Sequence, residues 1–136
     1  GAKPFPGIVR VLDELERMNI KLGIFTGKGR ETCRMTLEHM GLGDRFGSVI
    51  TGDEVNEYKP APEGLLKAIR ELGCSPANTL YTGDAASDVE AARDAGTHYG
   101  HAVWDEGGME LPEGVEPEVM FSSPEELLGW VRKLIS

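Results

Sequence analysis

The sequence predicts an α/β fold of three layers, in which a mostly parallel sheet carries helices on both faces. Short apolar runs alternate along the chain with longer segments whose apolar residues recur at helical spacing. Glycines and prolines separate most of these segments, as expected at the ends of strands and helices. Strands that alternate with helices form parallel sheets. Because 136 residues suffice for one such domain, residues 1–136 are assigned to a single domain.

Three helices and two strands are predicted in the first half of the chain. The first helix has apolar residues at Ile8, Val11 and Leu15, which is the spacing of a buried helical face. A short apolar run then ends in a glycine-rich turn, as a buried strand does. Gly41 and Gly73 end the second and third helices. The predicted elements are a helix over 8–18, a strand over 21–25, a helix over 31–40, a strand over 48–51 and a helix over 63–72.

The same alternation continues in the second half of the chain. Gly96 ends the fourth helix. Ser123 is the predicted N-cap of the fifth helix, with Glu126 at the capping-box position. A segment rich in Gly, Pro and Glu over 105–117 is predicted to be a loop. The predicted elements are a strand over 79–82, a helix over 85–95, a strand over 98–104, a strand over 118–121 and a helix over 123–135.

The composition restricts the classes of partner. The 14 basic and 23 acidic residues give a net charge of -9, which argues against nucleic acid or an anionic membrane as the main partner. No apolar run approaches the length that spans a membrane, and no signal peptide is visible. Cys33 and Cys74 lie far apart and form no CxxC pair, which favours a reducing compartment. We therefore expect a cytoplasmic protein.

An acidic turn between the third strand and its helix is the first candidate site. Asp84 and Asp88 lie four residues apart, directly after the apolar run that ends at Gly83. Two carboxylates at the carboxyl edge of a sheet could hold a hard cation such as Mg²⁺. The alternative is that both acids only cap the helix and favour its positive end, a role that suits one acid better than two.

Two further loops bring polar groups to the same edge of the predicted sheet. Thr26 and Gly27 follow the first strand, and Lys59 precedes the third helix. A phosphoryl group could accept hydrogen bonds from Thr26 and the Gly27 backbone, while Lys59 and Mg²⁺ neutralise its charge. Taken singly, Thr26 could cap the next helix and Lys59 could be a solvated loop residue. Together these residues predict a site for a small-molecule phosphate ester.

Three segments, in this order and spacing, resemble the second, third and fourth motifs of the haloacid dehalogenase-like (HAD) superfamily. They are Ile-Phe-Thr at 24–26, Lys-Pro at 59–60 and Gly-Asp-Ala-Ala-Ser-Asp at 83–88. The resemblance covers essentially the whole chain, and the residues around the first two motifs are most similar to the phosphoglycolate phosphatase-like branch. It implies a Rossmann-like core domain and a Mg²⁺-dependent phosphatase that works through an aspartyl-phosphate.

The resemblance also implies a role for each candidate residue. Thr26 and Lys59 would bind phosphate, with Gly27 beside them. Asp84 would bind the metal directly, and Asp88 would bind the metal or support its ligands. The implied catalytic residues are Thr26, Lys59 and Asp84.

The first motif of the superfamily, a strand that ends Asp-x-Asp-x-Thr, is absent from the chain. That motif supplies the nucleophile and the general acid/base, and the acidic segments 53–55 and 105–107 lack its second aspartate and its threonine. We therefore expect the chain to be the part of a longer phosphatase that follows a cap domain, and to be inactive by itself.

The resemblance places the missing strand in the middle of the sheet, between the strands that end at Thr26 and Gly83. Its absence would leave a gap of roughly 9–10 Å with unpaired backbone on both sides. We expect that the two strands close up, or that another segment or a second copy of the chain fills the gap. Strand complementation and homodimerisation at this position are the predicted partner interactions.

Two other functions stay open at this point. One keeps the family but changes the reaction to that of a phosphomutase or a dehalogenase, and the metal and phosphate motifs argue more strongly against the dehalogenase. The other is a non-catalytic phosphate-binding or interaction module. The substrate itself is not predicted, because the cap domain largely determines it in this superfamily.

Overall fold

The computed structural model describes residues 7–104 and 111–135, and the predicted loop over 105–117 lies partly outside them. Each predicted helix and strand is present, with ends that differ from the predicted ones by up to two residues. The helices are α1 (Ile8–Arg17), α2 (Arg30–His39), α3 (Glu63–Glu71), α4 (Ala86–Ala95) and α5 (Pro124–Ile135). The strands are β1 (Gly23–Phe25), β2 (Ser48–Ile50), β3 (Leu80–Gly83), β4 (His98–Ala102) and β5 (Val119–Phe121).

The predicted glycine ends of the helices are confirmed. Gly41, Gly73 and Gly96 have φ angles of 72°, 70° and 82°, a left-handed conformation in which other residues are strained. At the start of α5, the backbone N–H of Glu126 donates to Ser123 Oγ, as predicted for an N-cap. Local sequence signals therefore determine where these helices begin or end.

All strand pairings in the described residues are parallel, but they form two sheets and not one. Strand β1 pairs with β2, with Ile24 opposite Val49. Strand β3 pairs with β4, and β4 with β5, with Tyr81 opposite Tyr99 in the first of these pairs. Within residues 7–104 and 111–135, no strand lies between β1 and β3. The predicted α/β fold is confirmed, and the structure divides the sheet where the central strand was predicted to be missing.

Helices cover both faces of these sheets and make three layers. On one face α1 and α5 form a core, with Leu22 and Leu80 packed against it. On the other face α3 and α4 form a second core, with Phe25 and Tyr81 packed against it. The buried residues of the two cores are Val11, Leu15, Leu128 and Val131, and then Leu65, Ile69 and Ala95.

A cavity of 570 Å³, which we call the inter-sheet slot, separates β1 from β3. Apolar side chains from both strands and from helices of both layers line most of it. They include Leu15, Leu22, Ile24, Ile69, Leu80 and Val131. Separately, no helix in the described part of the chain is long and apolar enough to cross a membrane.

The hydrogen bonds on the outer edge of each strand show which backbone groups face the inter-sheet slot. Thr26 N donates to Ile50 O at 3.0 Å, so the even-numbered residues of β1 face β2. His98 N donates to Thr79 O at 2.9 Å, so the odd-numbered residues of β3 face β4. The backbone groups that face the slot are those of Gly23, Phe25, Leu80 and Thr82.

Candidate phosphate-binding site

The structure brings the predicted site residues to one edge of the fold. Thr26 and Gly27 follow β1, Asp84 follows β3, and Lys59 lies in the loop before α3. The Lys59 ammonium lies 5.0 Å from the centre of the Phe25 ring at the end of β1. It also lies 2.9 Å from Asp88 Oδ1 in the first turn of α4. Lys59 therefore lies between the ends of the two sheets, at the edge where the sequence places the polar loops.

Asp88 is buried, with 4% of its surface exposed, and its carboxylate accepts hydrogen bonds on both oxygens. Oδ1 accepts from Lys59 Nζ at 2.9 Å and from the Tyr81 hydroxyl at 2.8 Å. Oδ2 accepts from the backbone N–H groups of Asp84 at 3.1 Å and Ala85 at 3.2 Å. The last two bonds cap the start of α4, so Asp88 has the helix-capping role that the sequence offered as the alternative to metal binding.

The same contacts determine the charge of Asp88. Burial by itself raises the pKa of a carboxyl, but the hydrogen bond and positive charge of Lys59, with the hydrogen bonds from Tyr81 and Asp84, outweigh burial. The pKa of Asp88 therefore lies below its ordinary value, and the carboxylate is ionised beside the Lys59 ammonium. Because burial and the negative charge of Asp88 act together, the pKa of the Tyr81 phenol is raised and it remains a hydrogen-bond donor.

The Thr26–Gly27 turn presents its groups at the surface. Thr26 Oγ1 accepts a hydrogen bond from Lys28 N at 3.2 Å, which shapes the turn. A Cβ atom added at Gly27 would meet no protein atom within 4 Å, so the space in front of this backbone is open. The turn rests on Gly52, where an added Cβ would lie 2.5 Å from the carbonyl oxygen of Gly27. Gly52 thus lets the turn pack against the loop after β2.

Asp84 is exposed at the end of β3. Its exposed carboxylate fits a hydrated Mg²⁺, because this ion keeps several waters and takes one or two carboxylates together with phosphate oxygens. Asp88 fits the metal less directly, since each of its oxygens already accepts two hydrogen bonds. Within residues 7–104 and 111–135, no three His, Cys, Asp or Glu side chains are grouped closely enough to hold a metal ion.

The acidic segments that were weighed as replacements for the missing motif have other positions. Asp53 lies beside the start of α2, where Arg30 N donates to both of its carboxylate oxygens at 3.1 Å. Asp53 therefore caps α2 from the neighbouring loop. The segment 105–107 lies outside the described residues.

Sequence reasoning gave no role to Tyr81, the ring of Phe25, or Gly52. Tyr81 could have been identified, because alternate residues of a strand share a face and Tyr81 therefore points to the same side as Gly83. The contact between Gly52 and Gly27 could not, since it joins two loops that are far apart in sequence.

Comparison with known proteins shows which family the chain resembles. Residues 1–102 match the family described as haloacid dehalogenase-like hydrolase. The chain is 36% identical over 121 residues to pyrophosphatase PpaX of Bacillus velezensis, covering 89% of the chain and 56% of that protein. It is 32% identical over 126 residues to phosphoglycolate phosphatase of Aquifex aeolicus, covering 93% of the chain and 58% of that protein.

A solved structure extends the agreement to the fold. The HAD phosphatase from Thermococcus onnurineus superposes with a TM-score of 0.81 at 30% identity, covering 97% of this chain and 58% of that one. The chain thus spans just over half the length of the relatives that it matches. By the family match and by its fold, the chain belongs to the haloacid dehalogenase-like hydrolases.

Proposed function

We propose that this chain is the phosphate- and metal-binding part of a Mg²⁺-dependent phosphatase that hydrolyses a small-molecule phosphate monoester through an aspartyl-phosphate. The observation that carries the proposal is the position of Lys59, which Asp88 holds at 2.9 Å between the ends of β1 and β3. The names of two relatives, a pyrophosphatase and a phosphoglycolate phosphatase, favour the same reaction class and leave the substrate open.

In this proposal each residue has a defined task. The Thr26 hydroxyl and the Gly27 N–H donate hydrogen bonds to phosphoryl oxygens, and the open space at Gly27 admits the ligand. The Lys59 ammonium has three protons, and among the described residues Asp88 and Tyr81 accept two of them. The third is available for a phosphoryl oxygen. Mg²⁺, held by Asp84 with support from Asp88, would add positive charge on the phosphoryl oxygens during transfer.

The nucleophile enters the site, in this proposal, on a strand that fills the inter-sheet slot. The occupant is an apolar segment of the longer protein outside residues 1–136, parallel to both β1 and β3. The relatives are nearly twice as long as the part that matches, so such a segment has a source. The slot has apolar walls and two facing strand edges, which suit a strand buried on both faces. The carboxyl end of this strand would lie between Thr26 and Asp84.

Amide hydrogen exchange tests whether a strand of the longer protein fills the inter-sheet slot. The chain is coexpressed with the segment that precedes it in the proposed longer protein, which we call the upstream segment, and amide exchange is compared with that of the chain alone. We expect slower exchange of the Phe25 and Thr82 amides, which face the slot, and little change at the Thr26 amide, which faces β2. Protection that rises with the concentration of the chain alone would indicate a homodimer and reject this occupant. Unchanged exchange would reject strand complementation altogether.

Turnover tests the function. Release of phosphate from an aryl phosphate is measured with and without Mg²⁺, for the chain alone and with the upstream segment. We expect no turnover by the chain alone and Mg²⁺-dependent turnover with the segment. Phosphate binding should be lost in Asp84→Asn and retained in Asp94→Asn, an exposed aspartate at the far end of α4. Turnover by the chain alone would contradict the proposed missing nucleophile.

A non-catalytic phosphate-binding module is the second candidate. It is favoured by the carboxylates near the site, because Asp53 caps α2 and both oxygens of Asp88 accept hydrogen bonds within the fold. The same experiments separate the two candidates. Phosphate binding without turnover in the presence of the upstream segment would favour the module.

A further inference from the structure

Lys59 is held by groups from both sheets. Its ammonium lies 5.0 Å from the centre of the Phe25 ring on β1, 3.4 Å from the Tyr81 hydroxyl on β3, and 2.9 Å from Asp88 Oδ1 on α4. The Phe25 and Tyr81 rings themselves are in contact, with centres 6.1 Å apart. We call the side chains of Phe25, Tyr81 and Asp88 the lysine cage.

Within the lysine cage, Tyr81 links the other groups. Its hydroxyl donates to Asp88 Oδ1 at 2.8 Å and accepts from Lys59 Nζ, so three polar atoms form a closed triangle. Asp88 is buried and Tyr81 is half-buried, and this partial shielding from water strengthens the hydrogen bonds between them. The triangle leaves the lysine few directions in which its ammonium can point.

We propose that Tyr81 is a positioning residue, which directs the Lys59 ammonium toward the phosphate without touching the substrate. The inference rests on the proposed phosphate site and adds a residue to it. Two groups acting from different directions are required, because a single ion pair allows a flexible four-carbon side chain to swing about the carboxylate. The Phe25 ring limits this motion on one side by a cation–π contact, and the Tyr81 hydroxyl limits it on the other.

The chain offers a matched control in Tyr99. Tyr99 lies opposite Tyr81 on β4 and has its ring 6.0 Å from that of Tyr81. Tyr99 is buried, whereas Tyr81 is half-buried. The Tyr99 hydroxyl pairs with His101 Nδ1 at 2.9 Å and not with the lysine cage. Tyr81→Phe and Tyr99→Phe each remove one hydrogen-bonded hydroxyl from the same face of the same sheet, so Tyr99→Phe controls for the general effect of losing a tyrosine hydroxyl there.

The test follows the Lys59 ammonium directly by its ¹H–¹⁵N signal in the 136-residue chain and measures its exchange with water. A second measurement is the affinity for inorganic phosphate in the presence of Mg²⁺. In Tyr81→Phe we expect the protons of the Lys59 ammonium to exchange with water at least several-fold faster. The affinity for phosphate should fall about tenfold, because the variant lacks one hydrogen bond to a charged group. In Tyr99→Phe both quantities should stay within about twofold of the wild type.

Equal behaviour of the two tyrosine variants would overturn the inference. Phe25→Leu provides a second test from the other strand, because it removes the ring and leaves the triangle intact; accelerated exchange of the Lys59 ammonium is expected there too. The outcome is separable from that of the proposed function. If the wild-type chain bound no phosphate, the phosphatase proposal would fail, whereas the ammonium signal would still decide whether Tyr81 positions Lys59.

Discussion

The carboxylate of Asp88 occupies the space that a side chain at position 83 would need. A Cβ atom added at Gly83 would lie 2.5 Å from both Cβ and Cγ of Asp88 and 2.4 Å from its Oδ2. This close approach lets Asp88 fold back over the end of β3 and reach Lys59. It gives a physical reason for a glycine five positions before the second aspartate of the acidic turn.

Gly83→Ala should therefore displace Asp88 and break its contact with Lys59. We expect the free energy of unfolding to fall by about 3 kcal/mol, the upper range for overpacking a buried site, and phosphate binding to weaken with it. Urea unfolding measures the first effect. Gly129→Ala is the control, because an added Cβ in this exposed part of α5 meets no atom within 4 Å. It should stabilise the chain by up to about 1 kcal/mol.

Gly52 and Gly27 should respond to alanine in different ways. Gly52→Ala would place a Cβ 2.5 Å from Gly27 O and push the Thr26–Gly27 turn out of position. We expect it to lower the free energy of unfolding by about 2 kcal/mol and to weaken phosphate binding. Gly27→Ala meets no protein atom, so its unfolding should stay within about 0.5 kcal/mol of the wild type while phosphate binding weakens. Normal phosphate affinity in Gly27→Ala would exclude close approach of the ligand to this residue.

Asp53 should matter for stability and not for chemistry. Asp53→Ala removes the acceptor of the Arg30 N–H and should cost about 1 kcal/mol in thermal or urea unfolding. Asp53→Asn keeps an acceptor oxygen and should cost less. If Asp53→Ala abolished the turnover of the chain combined with its upstream segment, with stability unchanged, Asp53 would be the nucleophile and its assignment as a cap would be wrong.

Glu54 should contribute to the dependence of stability on pH. Thr51 donates to Glu54 Oε2 from its backbone N–H at 2.9 Å and from its hydroxyl at 3.1 Å. The backbone hydrogen bond is the main reason that the pKa of Glu54 lies below its ordinary value, although burial opposes it. A glutamate whose pKa is lowered in the folded state stabilises the protein at pH values above its ordinary pKa of about 4.3. This contribution is lost as the pH falls through the folded value.

The measurement is urea unfolding of the wild type and Glu54→Gln across the acid range. The wild type should be more stable than the variant near neutral pH, and the difference should shrink below pH about 4 as the carboxylate becomes protonated. A constant difference between the two curves would mean that the charge of Glu54 contributes nothing.

Much of the fold could be predicted from the chain alone, because its signals are local. The spacing of apolar residues separates helices from strands, and Gly41, Gly73 and Gly96 end helices through a backbone conformation that glycine adopts without strain. The grouping of Thr26, Lys59 and the acidic turn followed from one general property of parallel strands, whose carboxyl ends meet at the same edge.

Contacts between distant residues were decided only by the tertiary structure. The sequence did not indicate that Asp88 would be buried against Gly83 with both oxygens occupied, or that Tyr81 and Phe25 would hold Lys59 from two sheets. Neither pattern nor propensity encodes such contacts, because they depend on how elements from separate parts of the chain pack. The sequence by itself determined which chemical groups reach this edge, and the packing of two sheets around the inter-sheet slot decided how those groups are held.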